Sequence, residues 1–127
     1  GRRSDTGLWA VVSGIPEPGE QPAVAALREC EEETGVVPEI LGVIAVEAEK
    51  PSQFPNGDRC VFMSIDFVAR VDAAGAAASR VGDEESTAVG WFDPGCLPEP
   101  IADSARRRIA AAQAWLANPA AGAHFHL

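Results

Sequence analysis

Apolar positions recur at helical spacing between residues 22 and 33, where Val24, Leu27 and Cys30 follow one another at intervals of three, flanked by Ala23 and Ala26. Pro22 suits the first helical position, whose N–H has no partner within a helix. Thr34-Gly35 ends the segment, with Gly35 as the left-handed residue just past the last turn. Residues 8–13, LWAVVS, read as a short buried strand, and the turn-rich GIPEPGE follows it. Residues 38–49, PEILGVIAVEAE, predict a second strand, with Gly42 as a site for a bulge. A loop over 50–59 contains an Asn56-Gly57 turn. The clearest strand spans 60–71: Val61, Met63, Ile65, Phe67 and Ala69 alternate with Ser64, Asp66 and Arg70, so the odd-numbered face is expected to be the packed one.

Beyond residue 71 the pattern weakens. DAAGAAASRVGDEEST is a connection of small residues ending in an acidic cluster, AVGWF (88–92) is a further short strand, and DPGCLPEP is a turn. A last helix is expected from about Ser104 to Leu116, capped by Asp103 or Ser104. Ile101, Ala105, Ile109, Ala112 and Leu116 fall on one of its faces, and Arg106, Arg107 and Arg108 largely on the other. Residues 118–127 read as a loose tail. Strands interleaved with two helices predict one α/β (α+β) domain over residues 1–127, a mixed sheet with helices packed on its faces.

Composition narrows the function. At 127 residues, with 46% hydrophobic and 23% charged positions, the chain can bury one core and is not disordered in character. No apolar run approaches the roughly 18 residues of a membrane span. The N-terminal GRRSDTGLW lacks the apolar stretch of a secretory signal, so a cytoplasmic location without membrane partners is expected. Cys30, Cys60 and Cys96 are widely spaced and form no CxxC pair, which predicts reduced thiols in place of a disulfide framework or zinc site. A net charge of −9 counts against nucleic-acid binding. It leaves room for a small phosphorylated ligand held through cations.

The charge is concentrated on the predicted helix, where Glu29, Glu31, Glu32 and Glu33 crowd the last turns. Glu29, Glu32 and Glu33 stand at i, i+3 and i+4 and share a face, while Glu31 points elsewhere. Carboxylates about 6 Å apart repel one another unless a cation joins them. Clustered oxygen ligands of this kind suit hard ions such as Mg²⁺ or Mn²⁺. Arg28 is placed to pair with Glu32 four residues on. In the preceding loop Gly14 allows a tight turn with its carbonyl turned toward the same cation, and Gly19 and Glu20 bring the loop onto the helix.

Gly14, Glu20, Arg28, Glu29, Cys30, Glu32, Glu33, Gly35 and Val36 spell G-x5-E-x7-R-E-U-x-E-E-x-G-U, where U is an apolar residue. This pattern resembles the Nudix box, complete apart from Cys30, which is smaller than the usual aliphatic residue. The later Glu85, Trp91-Phe92 and Leu97-Pro98 followed by a helix are also similar to Nudix domains. The resemblance implies an α/β/α sandwich with a mixed sheet between helices, and metal-assisted attack of water on a nucleoside diphosphate linked to another moiety. It implies Glu29, Glu32 and Glu33 as metal ligands with the Gly14 carbonyl, Mg²⁺ as the cofactor with Mn²⁺ a substitute, Arg28 orienting a glutamate, and Glu20 and Gly35 as structural members of the motif. The general base is Glu29 or, from the later loop, Glu84 or Glu85.

Substrate recognition falls to the sheet face and loops, where Arg3, Trp9, Arg59 and Phe62 are the candidates, with Arg2, Phe54 and Asp66 behind them. The compact chain favours a (d)NTP cleaved to (d)NMP and diphosphate. Pro51 lies where ADP-ribose-cleaving members tend to carry a proline, so ADP-ribose or another nucleotide sugar is the alternative, as is a catalytically silent nucleotide-binding module. Family domains usually supply one or two strands before the segment matching GRRSDTGLW, so roughly 20–40 further N-terminal residues are expected by comparison. For assembly a homodimer is the general expectation for a small enzyme, a partner copy covering the apolar patch that such absent strands leave.

Overall fold

A computed structural model describes residues 1–125. The elements run β1 (Arg2–Arg3), α1 (Pro22–Thr34), β2 (Glu39–Ala48), β3 (Ser52–Gln53), β4 (Arg59–Cys60), β5 (Met63–Arg70), α2 (Ala73–Ala78), β6 (Ser86–Ala88), α3 (Asp103–Ala117), a 3-10 turn (Pro119–Ala121) and β7 (His124–Phe125). The central sheet has the order β5-β2-β7, with β5 antiparallel and β7 parallel to β2. It is therefore mixed, and α1 and α3 pack against it. Two small antiparallel pairs, β1-β6 and the β3-β4 hairpin, complete the frame.

Helix α1 begins at Pro22 and is closed by Gly35 at φ 71°, whose N–H donates to the Glu31 carbonyl, as its flanking residues predict. The β2-β5 register shifts between Ile40 and Gly42 and again between Val43 and Ala45. Gly42 is needed for packing as well: a Cβ there would lie 2.6 Å from the Trp115 ring of α3.

Several expectations are corrected. Residues 8–13 do not form a strand. Trp9 alone makes isolated bridges, to Arg2 and Ile101, with its N–H donating to the Pro100 carbonyl and its own carbonyl accepting from Ala102 N–H. The 60–71 strand is broken, since Cys60 pairs in the β3-β4 hairpin and β5 starts at Met63. Its packed face is the even-numbered one. Val68 is buried, whereas Met63 and Ile65 are 76% and 40% exposed. The cause is α3: Arg108 turns inward to pair with Asp66 and Glu49, so the polar side of β5 is covered. Among the described residues no strand pairs with the other edge of β5.

On α1, Val24 is exposed and Ala25 buried, so the inward face runs Ala25, Glu29, Glu33. On α3, Ala105 is buried and Leu116 exposed, and the N-cap is Ala102, with no side-chain cap, so Asp103 lies in the first turn. Several elements were not expected, among them β1, the strand β3 within the 50–59 loop and the 3-10 turn in the tail. Helix α2 sits in the small-residue connection, capped by Asp72 accepting from Gly75 N–H. The tail contributes β7, while residues 126 and 127 lie outside the described residues. The strand expected at 88–92 is shifted to Ser86–Ala88.

Buried residues are few and mostly small: Ala25, Val36, Ile44, Ala45, Val68 and Ala105. Glu33 and Ser86 are buried with them. A carboxyl group buried among apolar neighbours is costly unless it is paired, which directs attention to Glu33.

Candidate active site

The loop before α1 is fastened to the helix through Arg28. Its guanidinium donates from Nε and Nη2 to the two oxygens of Glu20, at 2.9 Å each. Glu20 in turn accepts from the Glu17 N–H, which closes the loop on itself. Arg28 Nη1 reaches Glu29 at 2.9 Å and Glu32 at 3.1 Å, and Nη2 donates to the Ile15 carbonyl at 3.4 Å. The bidentate bond with Arg28 draws the Glu20 carboxyl down to about 2, assisted by the Glu17 N–H. One arginine thus organises three of the motif's glutamates.

Gly14 lies against this cluster. A Cβ at Gly14 would stand 2.0 Å from the Glu29 carboxyl carbon, so any side chain there would push the Glu29 carboxylate aside. Glu33 is deeper, 5% exposed, and its Oε1 has no hydrogen-bond partner. Burial raises its pKa to about 7, helped by the negative charges of Glu85, Asp83 and Glu29, with the Gly1 ammonium opposing. Glu85 and Asp83 come from the segment between α2 and β6. Asp83 was not singled out from the sequence. The acidic run GDEES was the available signal, and it did not tell which of its charges act on Glu33. Glu84 and Glu85 are both exposed, and of the two it is Glu85 whose charge acts on Glu33.

Arg3 joins the rim. The β1-β6 pairing sets Arg3 opposite Ser86, and its guanidinium lies 3.9 Å from Glu85 while pairing more closely with Asp5. Trp9 stacks edge-on against Phe92 with ring centroids 4.9 Å apart, in a cavity of about 620 Å³ also lined by Trp91, Leu97 and Ile101. Phe62 packs edge-on against Phe54, and Arg59 lies in the β3-β4 hairpin. The structure does not bring Trp9, Phe62 or Arg59 into the hydrogen-bonded cluster around Arg28. A second cavity of about 390 Å³ joins Gly14 and Glu29 to Met63, Ile65 and Asp66 on the sheet and to Arg108 on α3. Asp66 is raised above the usual carboxylate range by burial, against the pull of Arg108.

Among the described residues no three acidic, histidine or cysteine side chains form a ready-made cage. Two of the helix carboxylates are instead turned onto Arg28. The donor set nevertheless fits a hard cation: all its side-chain atoms are carboxylate oxygens, and one of them is buried with nothing to bond. Cys30, Cys60 and Cys96 are free thiols, and no described helix is long and apolar enough to cross a membrane.

Comparison with known proteins agrees with this geometry. A family profile described as NUDIX domain matches residues 1–113. The mouse protein named 8-oxo-dGDP phosphatase NUDT18 is 30% identical over 100 residues, covering 79% of this chain and 28% of its own length. A MutT-like protein of Streptomyces ambofaciens is 31% identical over 105 residues, covering 80% of this chain and 58% of its own. The chain therefore spans between about a quarter and three fifths of these curated relatives. The crystal structure of the MutT NUDIX hydrolase from Burkholderia pseudomallei superposes with a TM-score of 0.66 at 25% identity, over 87% of this chain and 81% of that one.

Proposed function

The chain belongs to the Nudix family, and on that footing we propose that it is a Mg²⁺-dependent pyrophosphohydrolase of nucleotides, with a (d)NTP cleaved to (d)NMP and diphosphate as the favoured reaction. The observation that carries this reading is the buried, unbonded Oε1 of Glu33 on the helix face it shares with Glu29, over Gly14. Glu33, Glu29, Glu32 and the Gly14 carbonyl are the residues that would hold the cation, and Mn²⁺ is a suitable substitute. When bound, the cation supplies charge neutralisation for the phosphates and a more acidic water.

The protein's own groups do the rest. Arg28 holds Glu29 and Glu32 in reach by ion pairing and ties them to Glu20. Glu29 is the first candidate for accepting the water's proton, and Glu85 the second. Arg3, whose guanidinium lies 3.9 Å from Glu85, is our candidate for meeting the polyphosphate. The apolar wall of Met63 and Ile65 next to Asp66 and Arg108 offers a surface for the nucleoside.

The name of the mouse relative favours a second substrate class, a nucleoside diphosphate bearing an oxidised purine. The deciding experiment is a panel of nucleoside tri- and diphosphates, their 8-oxo forms and ADP-ribose, assayed with Mg²⁺ and with EDTA. Carrying it out in H₂¹⁸O identifies the phosphorus attacked. Cation-dependent release of a nucleoside monophosphate from one member supports the proposal. A panel without turnover, combined with tight nucleotide binding, would establish a silent binding module instead.

A further inference from the structure

The loop that carries Asp83 and Glu85, whose charges act on Glu33, is seated on the last turn of α1 at Glu33 itself. Arg80 N–H donates to the Thr34 carbonyl at 2.9 Å, and Gly82 N–H donates to the Glu33 carbonyl at 2.9 Å. Both acceptors are last-turn carbonyls that have no partner inside the helix. The Arg80 guanidinium lies over Gly35, where its positive charge complements the helix C-terminus. At the far end of the loop, Ser4 N–H donates to the Glu85 carbonyl at 2.8 Å, and Glu85 N–H donates to Asp83 Oδ1 at 2.9 Å. The segment is thus pinned to α1 on one side and β1 on the other, with Asp83 and Glu85 between the pins.

Gly82 is the residue that makes the seat possible. A Cβ there would lie 1.9 Å from the Glu32 carbonyl oxygen and 3.1 Å from the Glu33 carbonyl carbon. These are backbone atoms of a hydrogen-bonded helix and cannot swing aside as a flexible side chain would. Any side chain at position 82 must lift the loop away from α1.

We propose that Gly82 is a positioning residue: by letting the 80–85 segment dock on the last turn of α1, it sets Asp83 and Glu85 against the buried Glu33 and so completes the cation site. The proposal rests on the cation-binding reading of that site and adds to it residues outside the helix, Asp83 among them. Gly82 touches no substrate; it acts through the two carboxylates.

The test is a Mn²⁺ titration followed by EPR on the wild type, Gly82→Ala, Val81→Ala and Asp83→Asn/Glu85→Gln, with the last also carrying Gly82→Ala. Melting in EDTA shows which variants are folded. Gly82→Ala is expected to weaken Mn²⁺ at least ~10-fold, and Val81→Ala, at an exposed neighbouring position, to leave it within about twofold. With Asp83 and Glu85 already neutralised, adding Gly82→Ala should cost little more. An unchanged affinity in Gly82→Ala, or an equal further loss in the neutralised background, overturns the proposal. Should Gly82→Ala fail to fold, Asp83→Asn/Glu85→Gln alone decides: at least ~10-fold weaker Mn²⁺ supports the seat's purpose, and wild-type affinity overturns it. A wild type that binds no Mn²⁺ refutes the cation site itself, which is a different outcome from either.

Discussion

Glu33→Gln removes one negative charge from a buried position while keeping size and shape, and it should move stability and activity in opposite directions. The Glu33 carboxyl has a folded pKa of about 7 against an ordinary 4.5, because burial and the charges of Glu85, Asp83 and Glu29 disfavour ionisation. A carboxyl whose pKa rises on folding supports the folded state fully at pH below 4.5, and that support is lost as pH rises through 7. With each pKa unit worth about 1.4 kcal/mol, the difference corresponds to about 3 kcal/mol. Without cations at pH 8, wild type carries that whole penalty and the glutamine variant none. For a chain of this size that is a gain in Tm of roughly 10 °C. At pH 4, where Glu33 is protonated, the two should melt within about 2 °C of one another. The assay is melting in EDTA across pH 4–8, followed by the same scans with Mg²⁺. Mg²⁺ should raise the wild-type Tm by mass action and leave the variant nearly unmoved. A variant less stable than wild type at pH 8 in EDTA would refute the reasoning, since it would mean that the carboxylate is already satisfied inside the protein.

Arg28→Ala releases Glu20, Glu29 and Glu32 together and should lower kcat about 10²-fold, on the scale of losing an outer-shell partner of a metal site. In wild type the Glu20 carboxyl at about 2 supports the fold above pH 4.5, and that support fades as pH falls toward 2; acid melting of Arg28→Ala should lack this component. Gly35→Ala, at φ 71°, should cost about 1–2 kcal/mol, read as a lower Tm in EDTA. Gly14→Ala crowds the Glu29 side chain, which can turn aside, so activity should fall ~10- to 100-fold with a Tm change of only a few degrees. Arg3→Ala should raise KM for the preferred nucleotide several-fold with kcat within about twofold, as expected of uniform binding.

How much of the fold and site can be read from residue order follows from where each signal resides. Helix α1 carries its own start and stop in Pro22 and Gly35, and its glutamates carry their spacing, so the acidic face is legible in the amino acids alone. Strand β2 is equally plain, including the irregularity at Gly42. The packed side of β5 is not, because alternation says that two faces differ and not which one a helix covers; Arg108 on Asp66 decides it. Residues 8–13 look like a strand because they are apolar, but Trp9 commits its backbone bonds to Pro100 and Ala102, far along the chain. Helix α2 is hidden in a run of alanines and glycine that has no amphipathic pattern, although Asp72 as its cap was a usable sign. Strand β7 is two residues long and exists by pairing with β2. At the site, the motif pointed to Glu85 and passed over Asp83, because the acidic run carries no spacing that says which of its charges act on Glu33.

If a cation held by the α1 glutamates drives the chemistry, the decisive quantity is the rate of nucleoside monophosphate release from the preferred nucleotide. It should be measured for wild type with saturating Mg²⁺, for wild type in EDTA, and for Glu32→Gln with Mg²⁺. A loss in kcat of at least ~10³-fold is expected in the second and third cases. A Glu32→Gln protein within tenfold of wild type, or undiminished turnover in EDTA, would contradict the cation's role.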